Sequence, residues 1–468
     1  MRSIEMNLKG DLPRLQEQYG SRHNGRPTAT YMCDHIGLRR IKAGANSGLW
    51  QRPGKFVKEV FLPQGYPDTV SSDYLHYQLW DTLQAFCSSI TTMLATLAVL
   101  KGVGVGDDTA TPLAATITWM FREGHITDHA TFSYIPADGA GMISKILFAW
   151  MKGVDLDCNA KRWRLVADVL NDVGRFLELV APSLPHLFLP LVCLASVSTA
   201  IVGTAGMATR AALVQHQARR NNMADVAAKD NSQETVVNLL GLLVNLWVSS
   251  LVAESQFLVW ALFTVFTVLH LWANYMAVSV VCMETFNQNR LHIMMEHYLS
   301  TGVVLDPATV NTREPIIARS TRILSYRLGA NASSVVTSSA EFRAAVARDR
   351  DGHKHILKYL PSQRIVLVAL NVASSTVDQL QAALSIEVLD YILSGHSSSS
   401  SPVLAQFSQD ITSLLRGGKG DELPTHVDDK VCSCLFPSLL PALSLAGWDT
   451  SHLLLATSEP RYSWTQDS

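Results

Sequence analysis

The chain has 468 residues, 48% of them hydrophobic, and only 17% are charged, against roughly 25% in an ordinary soluble domain. A net charge of −2 and a pI near 6.7 leave no basic face for nucleic acid. Seven scattered cysteines (Cys33, Cys87, Cys158, Cys193, Cys282, Cys432 and Cys434) include no C-x-x-C pair and read as free thiols in a reducing compartment.

Residues 1–58 are polar with little periodicity and read as a weakly ordered lead-in. Arg2, Glu5, Lys9, Asp11 and Arg14 leave no apolar core for a secretory signal, and Glu5, Asp11 and Glu17 argue against a transit peptide. From 59 to 305 the character turns apolar, with stretches at 83–100, 109–121, 165–182, 184–209, 236–253 and 257–283. Leu187–Met207 and Phe257–Met283 contain no Asp, Glu, Lys or Arg. Each reaches the ~20 residues that cross a ~30 Å hydrocarbon layer. Trp247, Trp260 and Trp272 lie within or near the ends of the last two runs, as membrane interfaces favour. A large soluble helical core is the alternative, but long soluble helices carry a charged face and these carry none.

Loop charge sets an orientation. Lys152, Lys161, Arg162 and Arg164 precede 165–182, and Arg210, Arg219, Arg220 and Lys229 follow 184–209. A hairpin turned by Pro182–Pro185 puts both basic loops on one side, and the short link 254–256 on the other. This predicts up to six spans with both ends inside, the last four better supported than the first two. His216–Glu234 reads as a cytosolic-side interfacial segment, with a helix starting at Asn231–Glu234 and entering lipid at Val236.

Residues 306–338 read as a connector; the sequon at Asn331 falls on the predicted cytosolic side, where it is incidental. Residues 339–468 read as a small soluble α+β domain. Helices are predicted at 341–347, 377–393, 404–416 and 431–448, and strands at 355–360, 364–371 and 452–457. The fold class is therefore mainly α, a multi-span transmembrane helical bundle followed by this α+β domain.

Three blocks carry a resemblance: LPQGYPDTVSSDYLHYQLWDTLQAF (62–86), LFAWMKGVDLDCNAKRWRLVADVLND (147–172) and GTAGMATRAALVQHQARRNNMADVAAKDNSQETVVNLLG (203–241). They resemble the root UV-B sensitive family over roughly 60–305, and the C-terminal region is similar to that of its animal and protist members. The resemblance implies a membrane-associated helical protein. Plant members are linked to vitamin B6 homeostasis, seedling development and auxin transport, include plastid proteins and act in pairs. It brings no catalytic residue set. The segment 122–142 looks longer than the family's usual link and reads as an exposed loop.

Candidate chemistry is sparse. Gly102, Gly104 and Gly106 do not make G-x-G-x-x-G, so no nucleotide cofactor is expected. His125, Asp128 and His129 would share a face only on a helix, and without flanking apolar periodicity they read as loop residues rather than metal ligands. No hydrolase motif is present. The stronger signal is polar. Asp168, Asn171, Asp172, Arg175 and Glu178 fall on one helical stripe, with Asp172–Arg175 a candidate internal pair. Asp81, Gln84, Ser88, Thr92 and Thr96 form a second stripe, and His270/Asn274 and Asn238/Asn245 form shorter ones. Ionisable groups in a span must face protein or water. A solute or proton pathway, an interfacial helix and a structural ion-pair network each fit. Arg210, Arg219, Arg220 and Lys229 make a weaker candidate for an anionic lipid or solute, and the positive-inside signal alone also accounts for them.

The expected role is a non-enzymatic multi-pass membrane protein supporting small-molecule homeostasis. It uses no cofactor, its partners are lipid and a second copy or family member, and its C-terminal domain lies on the cytosolic side. A membrane-anchored scaffold whose C-terminal domain binds a partner protein is the alternative. Small residues Gly203, Ala205, Gly206, Ala208, Ala211 and Ala212 offer a face for close helix approach.

Overall fold

A computed structural model describes residues 15–18, 27–34, 37–43, 53–102, 128–252, 255–317, 322–395, 401–405, 410 and 423–464. The lead-in holds more order than its polar composition suggests. Strands β1 (Leu15–Gln18), β2 (Pro27–Asp34) and β3 (Gly37–Ala43) form an antiparallel meander, and helix α1 (Pro53–Phe61) follows.

Six long helices make the core: α2 (Tyr74–Gly102), α3 (Asp128–Cys158), α4 (Ala160–Val180), α5 (Phe188–Gln217), α6 (Met223–Val252) and α7 (Gln256–Val280). Helix α2 is central, packed by α4, α6 and α7; α4 also packs on α5, and α3 lies along the other side of α5. Ile90 and Leu94 of α2 meet Leu179, Val248, Val252 and Phe263 in one apolar cluster. A Cβ on Gly241 would lie 2.5 Å from Ser89 Oγ, so glycine is what lets α6 approach α2 here. Among the described residues, four helical segments are long and apolar enough to cross a membrane: Tyr74–Leu100, Pro185–Gln217, Met223–Val252 and Gln256–Val280.

Two readings of the sequence are corrected here. Segment 122–142 is not a loop from residue 128 onward, because α3 begins there; Ala137 packs against Ala181 and Val192, and Gly141 lies against Ser196. His125 lies outside the described residues, and Asp128 and His129 begin α3. Helix α6 starts at Met223, not at Asn231, because Asp230 and Glu234 pair with Arg210 across the α5–α6 turn (2.6 and 2.7 Å) and let the helix run through the charged stretch. The turn at Pro182–Pro185 does join α4 and α5 as antiparallel neighbours. The stretch 109–121 and most of 404–416 lie outside the described residues.

After α7, β4 (Thr285–Asn287) leads into α8 (Gln288–Thr301) and α9 (Pro307–Arg313). The rest includes β5 (Ser325–Leu328), a single helical turn at Ala332–Val335, α10 (Ser339–Arg350), β6 (His355–Leu360), β7 (Ile365–Asn371), α11 (Thr376–Leu393), α12 (Leu423–Lys430), α13 (Phe436–Leu445), β8 (Asp449–Leu454) and β9 (Arg461–Tyr462). A five-residue π-helical turn joins α12 to α13. Strand β7 is central, antiparallel to β6 and parallel to β5 and β9. Helix α10 opens on a capping box of Ser338 and Glu341. Met294, Met295 and Leu299 of α8 are buried with Val366, Val368, Leu384 and Leu439, so α8 belongs to the C-terminal core although the apolar region runs to 305. Parallel pairing of β4 with β8 ties the end of α7 to the far end of the chain.

The bundle has two ends. Residues 74, 158–160, 217–223 and 280 lie beside the C-terminal domain: Ser71 N–H donates to Gln217 O (3.0 Å), and Lys161 donates to Asn311 Oδ1 (2.6 Å).

Gly329 adopts φ +77° and its α-hydrogen faces the Ser458 backbone, where a Cβ would collide. Gly329→Ala therefore strains both the left-handed backbone and the β5–C-terminus contact. It should lower stability by about 1–3 kcal/mol, read as a lower thermal midpoint of the full chain.

Candidate functional site

Helix α4 is inside out by the standard of a soluble protein. Val169, Val173 and Phe176 are exposed at 42%, 44% and 47%, whereas Asp168, Asn171, Asp172 and Arg175 are buried. Helix period carries both sets, since the polar positions recur every three or four residues and the apolar ones fill the opposite face.

The buried face meets α2 and α7 in a ladder of polar contacts. Asp168 accepts from Asn274 Nδ2. One helical turn on, Asp172 Oδ2 bonds His270 Nδ1 at 2.8 Å, and His270 Nε2 bonds Gln84 Nε2 at 2.9 Å. Asn171 donates to Ser88 Oγ at 3.3 Å. At the domain-side end Arg164 donates to Asp81 at 2.8 Å, and Tyr77 OH to the same oxygen at 3.3 Å. At the other end Arg175 pairs with Glu178 at 2.8 Å. Seven of the eight pathway residues expected from the sequence (Asp81, Gln84, Asp168, Asn171, Asp172, His270 and Asn274) thus join contacts between these three adjacent helices, and Arg175 is buried but pairs within α4.

The pairing differs from expectation in detail. Arg175 takes Glu178, and Asp172 takes His270, because α7 delivers an imidazole to Asp172 while Glu178 lies one turn along from Arg175. Asn245 joins α2 through Ser89 (3.3 Å), but Asn238 faces outward. Arg164, read as loop charge, belongs to the ladder; its spacing of four from Asp168 was the signal. Several buried atoms have no hydrogen-bond partner: Asp172 Oδ1, Arg175 Nε and Asn245 Oδ1. Such orphans mark places where water or a polar solute is favourable.

The basic set disperses. Arg210 pairs with Asp230 and Glu234, Arg219 with Glu284 (2.6 Å), and Lys229 donates to Glu59 O. Three of the four side chains thus serve separate intrachain contacts, so the set does not converge on one anion. A different cluster couples the bundle to the C-terminal domain. Glu314 contacts Lys161 (3.2 Å) and Arg290 (2.9 Å) and accepts from Asn287. Burial alone would raise the Glu314 carboxyl, but Arg290 and Lys161 more than offset it and hold it below its ordinary value.

Residues 48–127 and 125–302 match the family described as the vitamin B6 photo-protection and homoeostasis domain, and 303–464 match the root UVB sensitive C-terminal domain. The chain belongs to the root UVB sensitive family. It is 44% identical over 294 residues to RUS family member 1 of Dictyostelium discoideum, a match covering 62% of this chain and 52% of that one. It is 33% identical over 438 residues to root UVB sensitive 3 of Arabidopsis thaliana, covering 91% and 89%. Root UVB sensitive 2 of the same plant, designated chloroplastic, is 29% identical over 268 residues, or 57% of this chain and 58% of that one. No solved structure matches.

The family's C-terminal domain holds a second buried charge centre. Asp428, fully buried, accepts from His355 Nε2 (2.9 Å), Ser385 Oγ (2.5 Å) and Arg348. His353 and Cys432 lie close enough to share an ion with it. Arg348 already occupies that carboxylate, and it contacts Asp429 at 3.2 Å and His353 at 3.4 Å, which makes the cluster a polar tie between α10, β6, α11 and α12. Burial would push the Asp428 carboxyl up; His355, Arg348 and Ser385 reverse this and hold it well below the usual carboxylate range.

A depressed carboxyl stabilises the fold fully above its unfolded pKa, 3.8, and the stabilisation is lost as pH falls below that through the folded value. Asp428→Ala, which strands Arg348 and His355, should cost about 3–5 kcal/mol at neutral pH and flatten the acid limb of a stability–pH curve, measured by denaturant unfolding of the full chain.

Proposed function

We propose that this chain is a non-enzymatic, multi-pass membrane protein whose helical core provides a polar path for a small solute, in support of vitamin B6-related homeostasis. The observation that carries this is the inverted helix α4. A helix that buries Asp168, Asn171, Asp172 and Arg175 and exposes Val169, Val173 and Phe176 is stable where the surroundings are lipid and the interior is polar. The orphan atoms along that interior support a wet path over a sealed structural network. The family description supplies the link to vitamin B6.

On this reading all six long helices span. Helix α3 is counted among them, its apolar face (Met142, Ile143, Ile146, Trp150, Met151 and Val154) lying open to lipid or protein. The basic residues Lys152, Lys161, Arg162, Arg164, Arg210, Arg219, Arg220 and Lys229 then gather at the end that carries the C-terminal domain, which the positive-inside rule makes cytosolic. The scaffold alternative draws on the Lys161–Glu314–Arg290 cluster, which fixes the C-terminal domain to the core.

We also infer that two chains associate through α3 and α5. Lys145 is exposed halfway along α3, its stem beside Gly203 halfway along α5. A cation at mid-membrane costs roughly 2.5–3.5 kcal/mol facing lipid, so a second chain covering it is favoured. Nothing lies within 4 Å of a Cβ placed on Gly206, which leaves room for that approach.

Two measurements test these readings. Asp172→Asn should abolish function in a complementation assay while abundance and resistance to carbonate extraction stay as in wild type; a mild phenotype, with loss of function instead on deleting 340–468, would favour the scaffold. Gly206→Leu should abolish cross-linking between two differently tagged copies in native membranes; normal cross-linking in the variant would remove this face from the interface.

A further inference from the structure

We propose that His270, held between Asp172 and Gln84, is a reversible proton-binding site in the helical core. This deepens the solute-path reading and rests on its placement of α2, α4 and α7 in lipid.

The first argument is charge. Along the ladder four carboxylates (Asp81, Asp168, Asp172 and Glu178) face two guanidinium groups (Arg164 and Arg175). With every carboxylate ionised, two negative charges would be left over, and Asp168 and Asp172 lie in the buried part of the ladder, where an uncompensated charge is expensive. The imidazole of His270 is fully buried and is the group here that can add a positive charge near neutral pH.

The second argument is the partner set. A buried histidine between fixed partners is locked in one state. With Asp172 accepting at Nδ1, neutral His270 carries its proton there, and Nε2 accepts from the Gln84 amide N–H. Charged His270 donates from both nitrogens. Asp172 still accepts, and Gln84 satisfies the new Nε2–H by rotating its amide to present oxygen. Both states are therefore fully hydrogen-bonded, without moving a helix. A proton arriving at Nε2 forms one N–H bond and leaves the Asp172 contact intact. Asp172 Oδ1, buried and without a hydrogen-bond partner on a residue only 5% exposed, faces the same interior and gives an arriving proton or water a polar foothold.

The charged groups acting on His270 are Asp168, Asp172 and Arg164 of α4. From α2, Asp81 acts through its pair with Arg164, and the Cys87 thiol lies near Asp172. Helix α6 has no Asp, Glu, Lys, Arg or His between 235 and 252.

The test is 15N NMR of histidine-labelled full-length protein in lipid nanodiscs, titrated over about pH 5–8. His270→Gln identifies the signal by its disappearance. The expected result is a buried imidazole that converts between neutral and charged forms across the titration. Asp172→Asn removes the anion that stabilises the charged form, and Gln84→Leu removes the acceptor for Nε2–H. Each should abolish the charged signal over the same range. A His270 signal fixed in either form in the wild type overturns the proposal, as does a titration unchanged in both variants. Proton movement is followed separately with a pH dye inside proteoliposomes. Titration without any flux leaves the site standing and ends a proton-carrying role for the path; flux with a fixed His270 ends the site alone.

Discussion

The helical core is organised around ionised side chains of α4 that turn inward. On the proposed reading, in which lipid surrounds α4, Asp168, Asp172 and Arg175 would be costly on the face that carries Val169, Val173 and Phe176. Turned inward, they need partners, and those partners lie on other helices: Asn274 and His270 from α7, Ser88 and Gln84 from α2. The polar contacts thereby fix the mutual rotation of three helices whose apolar side chains specify it weakly. A bundle held only by interchangeable Leu, Val and Phe contacts would tolerate rotation; a ladder of directional hydrogen bonds tolerates little.

The same logic governs the end of the bundle beside the C-terminal domain. Lys161 opens α4, Glu314 follows α9, and Arg290 lies in α8, so one buried carboxylate joins the membrane-type core to the α+β domain. Nearby, Asp73 accepts from His216 and from the Cys282 N–H, closing the starts and ends of α2, α5 and α7 onto one another. The β4–β8 pairing adds a backbone connection. Lys161 thereby puts the start of α4 in direct contact with the C-terminal domain.

Much of the architecture was legible in local pattern. Long uncharged runs marked α5, α6 and α7, and the Pro182–Pro185 turn marked the α4–α5 hairpin. Alternation at 355–360 and 364–371 marked β6 and β7. Helix α3 escaped because Asp138, Lys145 and Lys152 break its apolar run and glycines dilute its periodicity; its packing surface is supplied by α5. The strands in 15–43 escaped because β1 is only four residues long and the apolar residues of β2 and β3 do not alternate strictly with polar ones.

For the site, the sequence by itself determined which residues share a face. The 3.6-residue period is a local property, and it aligned Asp168, Asn171, Asp172 and Arg175 as it aligned His270 with Asn274. It could not determine partners, because hydrogen bonds between helices 98 or 186 residues apart depend on how those helices pack. Tertiary structure gave Asp172 to His270 rather than to Arg175. It also drew Arg164 out of the loops into the core, and scattered the basic residues 210–229 onto separate acceptors.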